Sequence, residues 1–151
     1  MTIKHLCSFL ILLFSVFFVK GVSMSDGVFF RVRMRAVEGK EQALVQVIDE
    51  LSQAAKKLSP GVISYFLTQD RNDKRYFELT EIYPDGPSFR NYFNSPEIVA
   101  LFERLVACED QQYPVEFYCY GCPDEETRKC LDTLGFVYIK PVAGFLLRSS
   151  G

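Results

Sequence analysis

Histidine and tryptophan are the residues that this sequence most lacks. Its only histidine is His5, and it has no tryptophan. Because His5 lies in an apolar N-terminal stretch that the pattern predicts to be removed, the working domain has no imidazole. This excludes Ser-His-Asp and Cys-His catalysis, zinc held by histidine and haem held by a proximal histidine.

A strong charge of either sign is also missing. The chain has 17 Lys and Arg against 19 Asp and Glu, a formal net charge of −2. Such a balance offers no basic surface for nucleic acid, so no nucleic-acid partner is expected. At 151 residues, with 48% hydrophobic and 24% charged side chains, the chain is predicted to be a packed globular protein, which excludes disorder and fibrous repeats.

The N-terminus carries an apolar run from Ser8 to Val19. It is shorter than the roughly 20 residues that a membrane-spanning helix needs. A lysine precedes it, and the small residues Gly21 and Ser23 follow it. This layout predicts a signal peptide over residues 1–23 and a secreted mature chain with no membrane segment. The alternatives are an uncleaved membrane anchor and a cytoplasmic chain that starts at Met24.

Removal of the signal peptide would discard Cys7 and leave an even set, Cys108, Cys119, Cys122 and Cys130. An even count suits disulfides in an oxidising compartment, and all three pairings stay open. The spacing lacks the two CxxC pairs of a four-cysteine zinc site, so no metal is expected. The one CxxC ends a predicted strand and does not begin a helix, which argues against a redox motif.

The period of the apolar residues changes in an orderly way from two to 3.6 and back. It predicts strands at 28–36, 62–69, 75–83 and 115–120 and helices at 40–58 and 88–107. The second helix is expected in two pieces, because Pro96 follows the N-cap candidate Ser95. The order β-α-β-β-α-β predicts an α+β fold, a ferredoxin-like sandwich of one antiparallel sheet with both helices on one face.

The chain is predicted to divide into a domain over 24–122 and a C-terminal extension over 123–151. The extension has a helical pattern from Pro123 to Leu134 and two apolar, strand-like pieces, Phe136–Ile139 and Ala143–Leu147. An apolar tail of this kind is expected to cover either the open sheet edge or a second subunit.

One face of the first strand is basic, with Arg31, Arg33 and Arg35 in alternation. The flanking strands supply Glu78 and Glu116, which predicts a ladder of cross-strand ion pairs. The alternative is an anion pocket, which would require at least one unpaired arginine.

The stretch from Gly61 to Phe102 has a distinctive pattern. Its third strand ends in Glu81-Ile82-Tyr83, and a helix starts at Asn94-Ser95-Pro96-Glu97. With the first strand and helix, the sequence resembles the antibiotic biosynthesis monooxygenase family, of the dimeric α/β-barrel superfamily, over about residues 28–121. The resemblance implies a homodimer through the sheet face. It also implies a cofactor-independent monooxygenase acting on a quinol or phenolic aromatic substrate.

The departures from the family pattern bear on the chemistry. Tyr83 stands where members often have tryptophan, and Tyr92 and Glu97 stand where they often have histidine. Haem degradation, which in this family uses a histidine ligand, is therefore close to excluded, and the usual imidazole base is absent. The resemblance then makes Tyr92 the candidate that binds or deprotonates a phenol, with Tyr83 as its stacking partner.

A tyrosine-rich set completes the candidate ligand site: Tyr65, Tyr83, Phe89, Asn91 and Tyr92. A planar phenolic ligand could stack among these rings, although most aromatics in a small α/β domain belong to the core and plain packing is the commoner role for any one of them. Since a tyrosine of ordinary pKa near 10 is a poor base, Tyr92 would need an acidic substrate or a neighbour such as Arg90 that lowers its pKa.

Two functions remain open on the sequence. One is the monooxygenase, and the other is a non-catalytic secreted homodimer that binds an aromatic or apolar ligand. A buried cavity beside Tyr83 and Tyr92, with an ionisable group pointing into it, would favour the enzyme.

Overall fold

A computed structural model describes residues 27–140. Its elements in chain order are β1 (Val28–Arg35), α1 (Glu41–Leu58), β2 (Ser64–Gln69), β3 (Tyr76–Tyr83), α2 (Gly86–Phe93), α3 (Pro96–Val106), β4 (Glu116–Tyr120), α4 (Glu125–Asp132) and β5 (Val137–Ile139). None of the helices in this range is long and apolar enough to cross a membrane. The predicted signal peptide and the piece Ala143–Leu147 lie outside the described residues.

The strands form one open sheet in the order β2-β3-β1-β4-β5. The first four strands pair antiparallel, and β5 joins β4 in parallel. The predicted α+β, ferredoxin-like arrangement is confirmed. The strand β5 belongs to the extension, and it covers the β4 edge of the sheet, one of the two roles expected for the apolar tail.

The helix boundaries follow local capping chemistry. Helix α2 begins at Gly86, two residues before its predicted start, because the Asp85 carboxylate accepts a hydrogen bond from the backbone N–H of Ser88 at 2.8 Å. Ser95 is the N-cap of α3, as predicted, although its side chain makes no capping bond. Pro96 therefore opens the second piece of the helix, where its fixed φ is compatible with the first turn.

The core lies between the helices and one face of the sheet. Buried and half-exposed residues alternate strictly along β1, which confirms the period-two pattern. The buried set includes Phe30 and Met34 from β1, Leu44 and Leu51 from α1, and Ile98 from α3. This burial supplies the main driving force for folding, about 25 cal/mol for each Å² of apolar surface removed from water.

The opposite face of the sheet carries the arginine ladder. Arg31 pairs with Glu78 at 2.5 Å, and Arg33 pairs with Glu116 at 3.1 Å. Arg35 lies 3.2 Å from the carboxylate of Asp73, a partner that the sequence did not suggest. All three arginines have an acidic partner, so the predicted ladder is confirmed and the anion pocket lacks the unpaired arginine that it requires.

The four cysteines within residues 27–140 are free thiols, and the expected disulfides are absent from this part of the chain. Cys108 and Cys119 are both buried, Cys130 is half-buried, and only Cys122 is exposed. Burial raises the pKa of Cys119 to about 12, so this thiol stays protonated at neutral pH. No group of three or more metal-ligating side chains occurs in the described range.

The extension is held against α2 by a polar cluster. Arg90 pairs with Asp124 at 2.6 Å and with Glu126 at 3.1 Å, and it donates to the hydroxyl of Thr127. Helix α4 approaches so closely that a Cβ at Gly86 would collide with the Asp124 carboxylate and the Thr127 hydroxyl. An alanine at this position would therefore force the Asp124 carboxylate and the Thr127 hydroxyl to move.

We expect Gly86→Ala to lower the free energy of unfolding by about 1–3 kcal/mol, since added bulk in a packed contact forces neighbours to move. The matched control is Gly27→Ala, where the added Cβ meets only ordinary contacts at 3.6 Å or more, and the expected change is within about 0.5 kcal/mol. Urea unfolding measures both. Equal effects would contradict the close packing of α4 on α2.

Candidate functional site

A cavity of about 210 Å³ lies between the sheet and the helices. Phe30, Val32 and Met34 of β1 line one wall. The other lining side chains come from β3, the two pieces of the second helix, the loop after it, β4 and the extension: Leu79, Glu81, Phe89, Tyr92, Phe93, Phe102, Leu105, Val106, Glu109, Phe117, Leu134 and Phe136. The lining is thus almost wholly apolar and aromatic, as in sites for small aromatic ligands.

Glu81 is the buried ionisable group of this cavity. It lies on β3, opposite Phe30 of β1, and is 8% exposed. The Tyr83 hydroxyl donates a hydrogen bond to its Oε2 at 2.8 Å. Burial raises the pKa of Glu81 to about 7, and the bond from Tyr83 opposes that rise. A carboxyl with this pKa exchanges a proton readily near neutral pH.

Three tyrosine hydroxyls lie near Glu81, and their raised pKa values make them unsuited to act as bases. Tyr65 lies across from Glu81 on β2, and its hydroxyl is 3.0 Å from that of Tyr92. Burial raises the pKa of Tyr65, Tyr83 and Tyr92, and the nearby negative charge of Glu81 adds to the rise. All three stay protonated at neutral pH, so each hydroxyl keeps a proton that it can donate.

The predicted site residues fall into three groups. Phe89 and Tyr92 line the cavity. Tyr65 and Tyr83 lie behind Tyr92, with ring centroids 6.2 and 5.8 Å from its ring, and Tyr83 has no exposed surface. Asn91 is exposed. Phe89 and Tyr92 are three residues apart and share one face of α2, whereas Asn91 lies on a different face. A ligand-binding role stays a prediction for the tyrosines.

The roles suggested for Tyr92 and Tyr83 need correction. Arg90 does not lower the pKa of Tyr92, because its guanidinium is engaged by Asp124 and Glu126 while burial raises that pKa. Tyr92 is therefore unsuited to act as the base. Tyr83 is not among the lining residues; its ring packs against those of Phe89 and Tyr92, with centroids 5.5 and 5.8 Å apart.

Sequence reasoning missed Glu81 as a site residue. The signal was present, since Phe77, Leu79, Glu81 and Tyr83 alternate along the apolar face of the third strand. Burying a carboxylate on such a face costs desolvation free energy, which an apolar side chain at the same position would not cost. It marks a functional candidate.

The family profile described as antibiotic biosynthesis monooxygenase matches residues 28–104. The chain belongs to this family. No curated protein was found to match it. The matched range runs from β1 through most of α3 and includes Glu81, whereas Glu109, β4 and the extension lie beyond it.

Solved structures of similar fold agree with this placement. SnoaB of Streptomyces nogalater, a cofactor-independent oxygenase, has 17% identity and a TM-score of 0.56, over 66% of this chain and 95% of its own. A conserved protein of Methanosarcina mazei has 18% identity and a TM-score of 0.58, with the same coverage. A protein of Pseudomonas aeruginosa has 21% identity and a TM-score of 0.54, over 64% of this chain and 94% of its own. At these identities the likeness establishes the fold alone.

Proposed function

We propose that this family member is a cofactor-independent monooxygenase that oxidises a small quinol or phenol with O₂, using Glu81 as general base. The observation that supports it is a buried carboxyl of pKa about 7 lining an apolar cavity. This arrangement favours an enzyme over a plain aromatic-binding protein, because burying a carboxyl costs free energy that an apolar side chain at the same place would not.

In the first step the Glu81 carboxylate takes the proton of a substrate hydroxyl. The apolar walls exclude water, so the phenolate is poorly solvated and its electrons are available to O₂. The Tyr83 hydroxyl remains bonded to Glu81 Oε2 and orients the carboxylate. Tyr92, held by Tyr65, lies on the cavity wall as a donor for the developing oxyanion.

The remaining steps balance with O₂ as the only oxidant. A ring carbon beside the phenolate oxygen forms a C–O bond to O₂, giving a hydroperoxide after protonation by Glu81. The O–O bond then breaks, the hydrogen on that carbon leaves as a proton, and one oxygen departs as water. One quinol and one O₂ thus give one hydroxyquinone and one water.

The proposal is tested by incubating the protein, free of added metal and flavin, with 1,4-dihydroxynaphthalene under ¹⁸O₂. We expect 2-hydroxy-1,4-naphthoquinone carrying one ¹⁸O atom at a rate above that of autoxidation. Saturable binding of the quinol with no product above background would contradict the proposal and favour the non-catalytic ligand-binding homodimer.

We also propose that the chain is a homodimer through the open face of the sheet. That face carries the stacked pair Phe29 and Tyr120, with centroids 4.8 Å apart, and Phe66, which is 51% exposed. A sheet with helices on one side leaves its other face to be covered.

Sedimentation should give about twice the 17.3 kDa mass of the chain at micromolar concentration. Phe66→Arg should shift the equilibrium toward the monomer. The matched control is Val99→Arg on α3, since Val99 is 52% exposed but lies on the helical side. A wild-type monomer, or equal effects of the two variants, would contradict the proposed interface.

Secretion is likewise a proposal, supported by the apolar run before the domain. Mass spectrometry of the chain from its natural source is expected to find the first residue near Val22 to Met24. Intact residues 1–23 would contradict cleavage.

A further inference from the structure

The cavity takes part of its wall from the C-terminal extension. Leu134 and Phe136 of that segment are lining residues, and both lie beyond the matched family range, residues 28–104. Phe136 is half-buried. Its ring centroid lies 5.3 Å from that of Phe30 on β1 and 5.0 Å from that of Phe117 on β4. The Phe136 ring therefore occupies space directly beside two strands that line the cavity.

The end of α4 fixes the backbone of Phe136. The N–H of Phe136 donates a hydrogen bond to the carbonyl oxygen of Leu131 at 3.4 Å, and the N–H of Gly135 donates to that of Asp132 at 3.2 Å. Gly135 has a φ of 74°. These are the two hydrogen bonds and the left-handed glycine of a Schellman motif. Because Leu131 is fully buried, the motif ties Phe136 to a residue of the core.

Two further attachments hold the extension on either side of Phe136. Before it in the chain, Asp124 and Glu126 form ion pairs with Arg90 of α2. After it, β5 begins at Val137 and pairs with β4 in parallel. The Phe136 ring is thus presented to the cavity from a backbone that is anchored in both directions.

The volume of the cavity limits the ligand, and the Phe136 ring contributes to that limit. An apolar cavity of about 150 Å³ holds a single benzene ring. The 210 Å³ present here leaves room for a second fused ring and not for a third. Replacing Phe136 by alanine removes a six-carbon ring from the wall, which frees space of the size that one further ring needs.

We propose that Phe136 determines the specificity of this site for ligand size: its ring limits an aromatic ligand to two fused rings, and the C-terminal extension is thereby the specificity element of the cavity. The proposal rests on the site of the proposed function and adds the residue that selects among its substrates. Phe136 packs against the core from its edge. It can therefore be exchanged without removing a fully buried side chain.

Two neutral, fluorescent alcohols test the proposal: 2-naphthalenemethanol, with two rings, and 2-anthracenemethanol, with three. Their dissociation constants are measured by fluorescence titration. Where space allows, the larger ligand binds more tightly, because it removes more apolar surface from water. For the wild type we expect the opposite order, with 2-naphthalenemethanol at least about tenfold tighter, since even one methylene group is worth about tenfold or more in an apolar pocket. Tighter binding of 2-anthracenemethanol by the wild type would overturn the proposal.

The variant Phe136→Ala should reverse this order, and Phe136→Leu, which keeps more of the packing, should narrow the difference. The matched control is Val137→Ala, at the next position of the extension. Val137 is 52% exposed and outside the lining, so the wild-type order should remain. Circular dichroism identifies the folded variants. The wild-type ratio of affinities in a folded Phe136 variant, or the same change in Val137→Ala, would overturn the role of Phe136.

The test is independent of catalysis, because the probes are not phenols and their binding is followed without turnover. Oxygen transfer by the wild type, with an unchanged order in the Phe136 variants, would keep the enzyme and reject the role of Phe136. Reversal of the order without oxygen transfer would reject the enzyme and keep the role of Phe136.

Discussion

Replacing Glu81 by glutamine is expected to lower kcat for 1,4-dihydroxynaphthalene by about 10²–10⁴-fold, the usual contribution of a positioned general base. Glutamine has nearly the same shape and can still accept the bond from Tyr83, but it cannot take a proton. The effect should fall on kcat with little change in KM, because the lost interaction acts on proton transfer and not on ground-state binding. Oxygen uptake, corrected for autoxidation, measures it.

The matched control is Glu78→Gln, on the same strand but on the arginine face, where it pairs with Arg31. It should retain kcat within about twofold, since it lies on the other side of the sheet. A Glu81→Gln protein that folds and turns over at the wild-type rate would remove Glu81 from the mechanism.

The same substitution should change how stability depends on pH. Burial raises the pKa of Glu81 from 4.5 to about 7 in the folded chain, whereas the unfolded chain keeps the ordinary value. The folded state therefore holds this proton over a pH range in which the unfolded state has lost it. The contribution of Glu81 to the free energy of unfolding is most favourable below about pH 4.5 and is lost as the pH rises to about 7. A shift of this size is worth about 3 kcal/mol.

The prediction is tested by urea unfolding of wild type and Glu81→Gln at several pH values. The free energy of unfolding of the wild type should fall relative to that of Glu81→Gln by about 3 kcal/mol between about pH 4.5 and 8. Other titrating groups are common to both proteins and cancel in the difference. A difference that stays constant with pH would show that Glu81 titrates as an exposed carboxyl does.

The fold was predictable because its patterns are local. Alternation along Val28–Arg35 and helical spacing along Glu41–Leu58 each reflect one buried face, which a sequence displays directly. The start of α2 was placed two residues late, since the capping role of Asp85 depends on a turn conformation that apolar periodicity does not report.

The site was predictable only in part, because cavities are made by residues distant in sequence. Tyr92 was found from its place in the family pattern and Phe89 from the aromatic set near it in the sequence, and both line the cavity. Phe136 closes it from a segment outside the matched range, and no local pattern indicates that contact. The burial of Glu81 likewise depends on neighbours from β1, β2 and α2, so its raised pKa could be derived only from the assembled structure.

The pH dependence of cofactor-free oxygen uptake tests the central claim most directly. The substrate is 1,4-dihydroxynaphthalene, and the rate of autoxidation is subtracted. We expect kcat/KM to rise with pH and to level off above an apparent pKa of about 7, because burial raises the pKa of Glu81 to about that value. The tyrosines facing Glu81 from β2, β3 and α2 have pKa values well above this range, so none of them produces such a step. A profile with no step near pH 7 in the wild type, or the same step in Glu81→Gln, would contradict the account.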